Sequence, residues 1–196
     1  AFVRAALLAA GVEPGTPELK NGMFVFPYKA PAGKVIRRFM ADPKQFPPKD
    51  EAGLRANMAL ARQALADAGM PLVSARVLNL EYILPTYSLL YLTDRLDNQA
   101  REVQLRLLNA REASDFDVFR AAGLRVVQVP KPWMMVYVGP EAGVVNMGAK
   151  DEESARKKLA ERREYFVKQG KTILAERVTP VEDPNIKFVV SLYFLH

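Results

Sequence analysis

The chain has 196 residues, 49% apolar and 26% charged, with a net charge of +6. That is a globular composition, with apolar mass enough for one large core or two small ones. It has no cysteine and one histidine, the terminal His196. Disulfides, thiolate metal sites and cysteine nucleophiles are therefore excluded. Histidine acid–base chemistry, a His-ligated zinc and haem are not expected, and no cofactor is expected. The charge excess suits phosphate or nucleic acid, but also an ordinary surface with mixed charges. No apolar run approaches the roughly 18 residues that span a bilayer. The chain opens at Ala1 without a methionine, which leads us to expect an upstream segment. A signal or anchor would lie there, so the compartment stays open between cytoplasm and export.

In chain order, Phe2 to Ala10 reads as a helix stopped by Gly11. Met23 to Tyr28 and Lys34 to Met40 are predicted to pair as a β-hairpin, with Pro and Gly in its turn. A long helix starts after Asp50, and Leu54, Met58, Ala61, Leu65 and Ala68 share its apolar face as far as Gly69. Two strands follow, about 72–83 and 87–93. Val103, Leu105 and Leu107 alternate with Gln104 and Arg106, so 101–108 reads as a strand, with 94–98 as the turn before it. Next come a short helix from Phe116 to Ala122, stopped by Gly123, and a predicted hairpin of Trp133 to Val138 with Val144 to Met147. A densely charged helix runs from Asp151 to Gln169. Ala155, Leu159, Phe166 and Val167 form its stripe, with Arg162 interrupting. Strands at about 172–181 and 187–195 end the chain.

The order repeats. Asp50-Glu51 recurs as Asp151-Glu152, and at the same offset Ala59, Arg62, Gly69 and Arg76-Val77 meet Ala160, Arg163, Gly170 and Arg177-Val178. Further upstream, Ala9-Ala10-Gly11 echoes Ala121-Ala122-Gly123, and Leu90-Tyr91 lies over Leu192-Tyr193. The fold class expected is α+β: an internally duplicated module of short helix, hairpin, long helix and hairpin, with each long helix on one face of an antiparallel sheet. Residues 1–100 would be the first copy, 101–111 a bridging strand and 112–196 the second. The copies are expected to join edges into one compact unit, leaving a groove on the face away from the long helices.

The second copy resembles the tandem modules of the SOUL haem-binding and GyrI-like effector-binding proteins. The resembling residues are Leu124 to Pro130, Trp133 to Gly139, Val167-Lys168-Gln169-Gly170, Glu176 to Val181 and the last strand, Phe188 to Leu195. The resemblance implies two helices on a curved antiparallel sheet and a small molecule between the halves. The chain departs from it where a groove glutamate is expected, since Lys187 and Phe188 stand there, and it has no internal histidine for haem.

Chemistry-bearing motifs are sparse. No phosphate-cradling glycine loop occurs. The serines lack a histidine base and a nucleophile elbow. Glu112, Asp115 and Asp117 begin a helix, and Glu182-Asp183 sit in a turn, so local structure explains both acidic groups. No catalytic residue and no metal site is assigned. The leading expectation is a non-enzymatic binding module that holds an apolar or aromatic small molecule in the groove between the two pseudo-symmetric halves, lined by Trp133, Tyr137, Tyr91 and Tyr193 with Arg76 and Arg177. One alternative is a scaffolding protein that pairs as a homodimer or larger assembly through sheet edges. Another is nucleic-acid binding by the 23–40 hairpin, with Lys34, Arg37 and Arg38 on phosphates and Phe24, Phe26 and Tyr28 stacking. Against stacking, those three rings share one strand face and read first as core.

Overall fold

The apolar runs through Tyr87–Leu92 and Val189–Phe194 leave no polar face for solvent, so each must be covered on both sides. In the computed structural model, which describes residues 2–41, 51–80, 83–109, 111–128 and 134–196, each run is the middle strand of a three-stranded antiparallel sheet. The chain divides into two units, residues 1–105 and 106–196. The division falls inside the segment expected to bridge the copies.

Unit 1 begins with α1 (Phe2–Ala9), followed by the short strands β1 (Glu13–Pro14), β2 (Glu18–Lys20), β3 (Met23–Val25) and β4 (Tyr28–Lys29). Asn21 and Gly22 both take positive φ and turn β2 into β3, as a two-residue hairpin loop requires. Next come β5 (Lys34–Met40), α2 (Glu51–Asp67), β6 (Leu72–Leu80) and β7 (Ile83–Asp94). The sheet order is β5-β7-β6. Helix α2 packs on one face, burying Leu54, Ala61 and Leu65 near Leu89 and Tyr87. Each fully buried leucine contributes about 2 kcal/mol through removal of apolar area from water. On the opposite face, α1 seats Leu7 against Val73 and Leu92.

Unit 2 carries most of β8 (Gln104–Asn109), then α3 (Asp115–Ala121), β9 (Arg125–Gln128), β10 (Met134–Gly139), β11 (Ala142–Ala149), α4 (Glu152–Lys168), β12 (Thr172–Pro180) and β13 (Phe188–Leu195). Its two sheets are β8-β10-β9 and β11-β13-β12. Helix α4 covers Val190, Leu192 and Phe194 with Ala155 and Phe166. Helix α3 covers the other face of the same sheet, with Phe116 and Phe119 against Tyr193.

The fold is α+β with antiparallel sheets, as expected. The β5-β7-β6 and β11-β13-β12 sheets share one topology: strand, long helix, strand, then a last strand inserted in the middle. Both bulge at the same place, between Leu72 and Ser74 and between Ile173 and Ala175. The described strands form separate sheets, not the single continuous one expected.

Two predicted hairpins do not form. Met23–Val25 pairs with Glu18–Lys20, whereas Lys34–Met40 pairs with β7. Likewise β10 pairs with β9 and β8, and β11 pairs with β13. The cause is non-local: β7 and β13 are buried on both faces and need a strand on each side, so they recruit β5 and β11 from the neighbours those strands have in sequence. The helix faces also shift slightly. Asn57 and Ala64 are buried on α2 where Met58 and Ala68 were expected, and Val167 on α4 is 57% exposed. Arg162 does not break the α4 stripe, because its guanidinium lies 5.7 Å from the Phe166 ring centre.

Candidate functional site

Unit 1 holds a cavity of about 560 Å³ on the sheet face that α1 covers. Its helical wall is Val3, Ala6 and Leu7, spaced three and four apart so that they share one side of α1. The floor comes from alternate residues of the strands: Ile36 and Arg38 of β5, Ser88 and Leu90 of β7, and Ser74, Arg76 and Leu78 of β6. Val73 joins its neighbour Ser74 on this face because the β6 bulge breaks the alternation there. The outer wall is Phe24, Phe26 and Tyr28, which are 71%, 37% and 48% exposed. An apolar lining with a few convergent polar groups is the usual composition of a small-molecule site.

The polar groups cluster at Ser88. Arg38 donates through Nε to Ser88 Oγ at 3.0 Å. Arg76 stands opposite Ser88 in the β6–β7 register, and so on the same face. Among the described residues neither arginine forms an ion pair.

On the matching face of unit 2 aromatic rings take most of the space, and about 150 Å³ remains beside Asp115, Thr179 and Ser191. Leu174 and Ala175, the two residues at its bulge, meet Tyr193, Phe116 and Phe119 in one cluster with Tyr137. Here Arg177 has a partner: its guanidinium lies 3.6 Å from Asp115 Oδ1 and 5.1 Å over the Tyr193 ring. Asp115 is 2% exposed and accepts from Tyr193 Oη and from the backbone N–H groups of Arg111 and Glu112. Three hydrogen bonds and the nearby guanidinium are what keep this buried carboxylate tolerable.

The six residues expected to line one groove are placed as follows. Trp133 lies outside the described residues. Arg76 lines the unit 1 cavity. Tyr91 projects from the opposite face of the same sheet, is 1% exposed and accepts a hydrogen bond from Leu105 N. Tyr137, Tyr193 and Arg177 do come together in unit 2, but both rings are 1% exposed. The Tyr137 hydroxyl donates to Pro140 O and accepts from Ala142 N. Burial pushes the hydroxyls of Tyr137 and Tyr193 up to about 12, and Asp115 adds to the rise at Tyr193. These three tyrosines are packing residues with committed hydroxyls.

The chain shows no match to any protein-family model, curated protein or solved structure.

The basic residues offered for nucleic acid are mostly engaged. Lys34 pairs with Asp94 at 2.6 Å, and Arg37 grips Glu102 through two nitrogens at 2.9 Å each. Arg37 and Arg38, as neighbours on a strand, face opposite sides, so they do not form one stripe. Among the described residues no cluster of metal-binding side chains occurs, and no helix is long and apolar enough to cross a membrane. Phe24, Phe26 and Tyr28, expected as core, stand as a half-exposed wall, and Ser74 and Ser88 carry no sequence motif that marks them. A usable signal was present: the alignment of Ala9-Ala10-Gly11 with Ala121-Ala122-Gly123 puts Val3 where unit 2 has Asp115, and Leu7 where it has Phe119.

Proposed function

We propose that the chain is a non-enzymatic binding module whose small-molecule site is the cavity under α1 in unit 1. One observation carries this reading. Two sheets of the same topology bear a short helix over the same face; in unit 2 aromatic rings leave about 150 Å³ there, and in unit 1 about 560 Å³ stays open. The exposure of Phe24, Phe26 and Tyr28 fits, because a bound apolar molecule would cover the rings that water now touches. The reading also takes the two units as copies of one module and keeps the likeness to SOUL and GyrI-like proteins. What supports that part is the shared strand order and the shared bulge.

The test is native mass spectrometry of protein purified from its own source, beside a Leu7→Phe variant that copies Phe119 of unit 2. A retained small-molecule mass in the parent that is lost in the variant supports the site. A mass retained equally in both places the ligand elsewhere. Assembly is the second reading, supported by the β2–β3 hairpin, where Leu19, Met23 and Phe24 are 66%, 67% and 71% exposed. Its occupant would be a second copy of this chain. Sedimentation should then show a dimer that Phe24→Ser converts to monomer, and a concentration-independent monomer would remove this reading.

A further inference from the structure

We propose that the molecule held in the unit 1 cavity is an amphiphilic monocarboxylate, with its apolar tail along Leu7, Leu90 and Leu78 and its carboxylate on Arg76 and Arg38. This rests on the reading of that cavity as a ligand site and adds the chemistry of the ligand. The grounds are an internal comparison. Arg177 of unit 2 occupies the position of Arg76: each lies opposite a serine of the middle strand, Ser191 or Ser88, and each follows the bulge by the same number of residues. Arg177 faces a carboxylate that the covering helix supplies, Asp115. In unit 1 the covering helix has Val3 in that place, and Val3 lines the cavity.

Unit 1 thus keeps the cation and lacks the acid. It also adds a second cation on the same face, Arg38, whose counterpart in the register of unit 2 is Val144. Two guanidinium groups around one serine, without an acidic partner among the described residues, repel each other and favour an anion between them. A planar carboxylate can accept from a guanidinium fork and from Ser74 or Ser88 together. The remaining lining is apolar, so the rest of the ligand is a hydrocarbon or aryl chain and not a sugar or nucleotide.

The experiment is calorimetry on the full chain with octanoate, decanoate and dodecanoate, and with the matching alcohols. The variants are Arg76→Ala, Arg76→Lys, and Val3→Asp, which installs the acid of unit 2. The acids should bind the parent at least tenfold more tightly than the alcohols, the size of a lost charge-assisted hydrogen bond. Arg76→Ala and Val3→Asp should each weaken the acids about tenfold or more and leave the alcohols within about twofold. Arg76→Lys should restore part of the loss. Circular dichroism on each variant separates lost binding from lost fold, since Arg76 is exposed and its replacement leaves the core intact. If acids and alcohols bind alike and Arg76→Ala changes neither, the carboxylate inference is overturned while the cavity stands as an apolar site. If no acid and no alcohol binds, the site reading fails and takes this inference with it.

Discussion

Glu102 is the most constrained acid of unit 1. Its side chain is 0% exposed, and it accepts from Arg37, Gln104 and the backbone N–H of Leu96. Burial alone would raise its pKa, but the Leu96 N–H, Arg37 and Gln104 together hold the carboxyl below its ordinary 4.5. A depressed acid contributes stability above its unfolded value and loses it as pH falls through the folded one. Denaturant titrations should therefore show unit 1 losing this contribution as pH falls from about 4.5 through the folded value, with no further loss from it beneath that, and Glu102→Gln should flatten the dependence. The partners are unequal. Arg37→Met takes the guanidinium away from a buried carboxylate and should cost about 3 kcal/mol. Glu102→Gln leaves a guanidinium that is 24% exposed and can rehydrate, so it should cost less. The tyrosines behave in the opposite sense. Tyr137 and Tyr193 have hydroxyls raised to about 12, so their contribution is intact below about pH 10 and is lost as pH climbs from there. Phenolate absorbance should show two late-ionising hydroxyls in unit 2, and Asp115→Asn should make one of them ionise earlier.

Helix limits were legible because their signals are local. Asp151 caps α4 by accepting from Ser154 N at 2.7 Å, while Ser154 Oγ accepts in return from Asp151 N. At the other end Gly170 takes φ +73°, and the next residue donates back to Phe166 O at 3.0 Å. Gly69 ends α2 in the same way, with Met70 N donating to Leu65 O. Gly170→Ala should cost about 1 kcal/mol, since alanine avoids the left-handed region, and Asp151→Ala should lower the melting temperature without changing the fold. Strand partners were not legible in the same way. The Pro-Ala-Gly turn does close, with Lys34 N donating to Pro31 O, but the strand it feeds pairs with β7, and β11 likewise pairs with β13, residues far along the sequence. Nothing within a short window records that those middle strands need two neighbours each.

At the scale of the molecule, the difference between the two covering helices matters most. Phe119 is 0% exposed and packs edge-on against Tyr193 at 5.9 Å. Phe119→Ala should destabilise unit 2 by about 3–5 kcal/mol, as loss of a buried aromatic does. Leu7→Phe in unit 1 should be close to neutral in a thermal melt, because it enters open space. A large loss with Leu7→Phe would show that the unit 1 cavity is already filled by its own side chains. The site was half legible in the sequence. The echo of Arg76 at Arg177 and the aromatic spacing of 24–28 are both visible there. The role of those rings as an outer wall depends on where β3 and β4 lie, which no local pattern encodes.

The boundary between the units runs through β8, and this decides how the chain can be taken apart. Tyr91 depends on the backbone amide of Leu105 to satisfy its buried hydroxyl, while the sheet of β10 and β9 depends on the strand that contains that residue. No single scission point leaves both fragments whole. Whoever wants to express the halves alone must give each of them its own copy of residues 104–109.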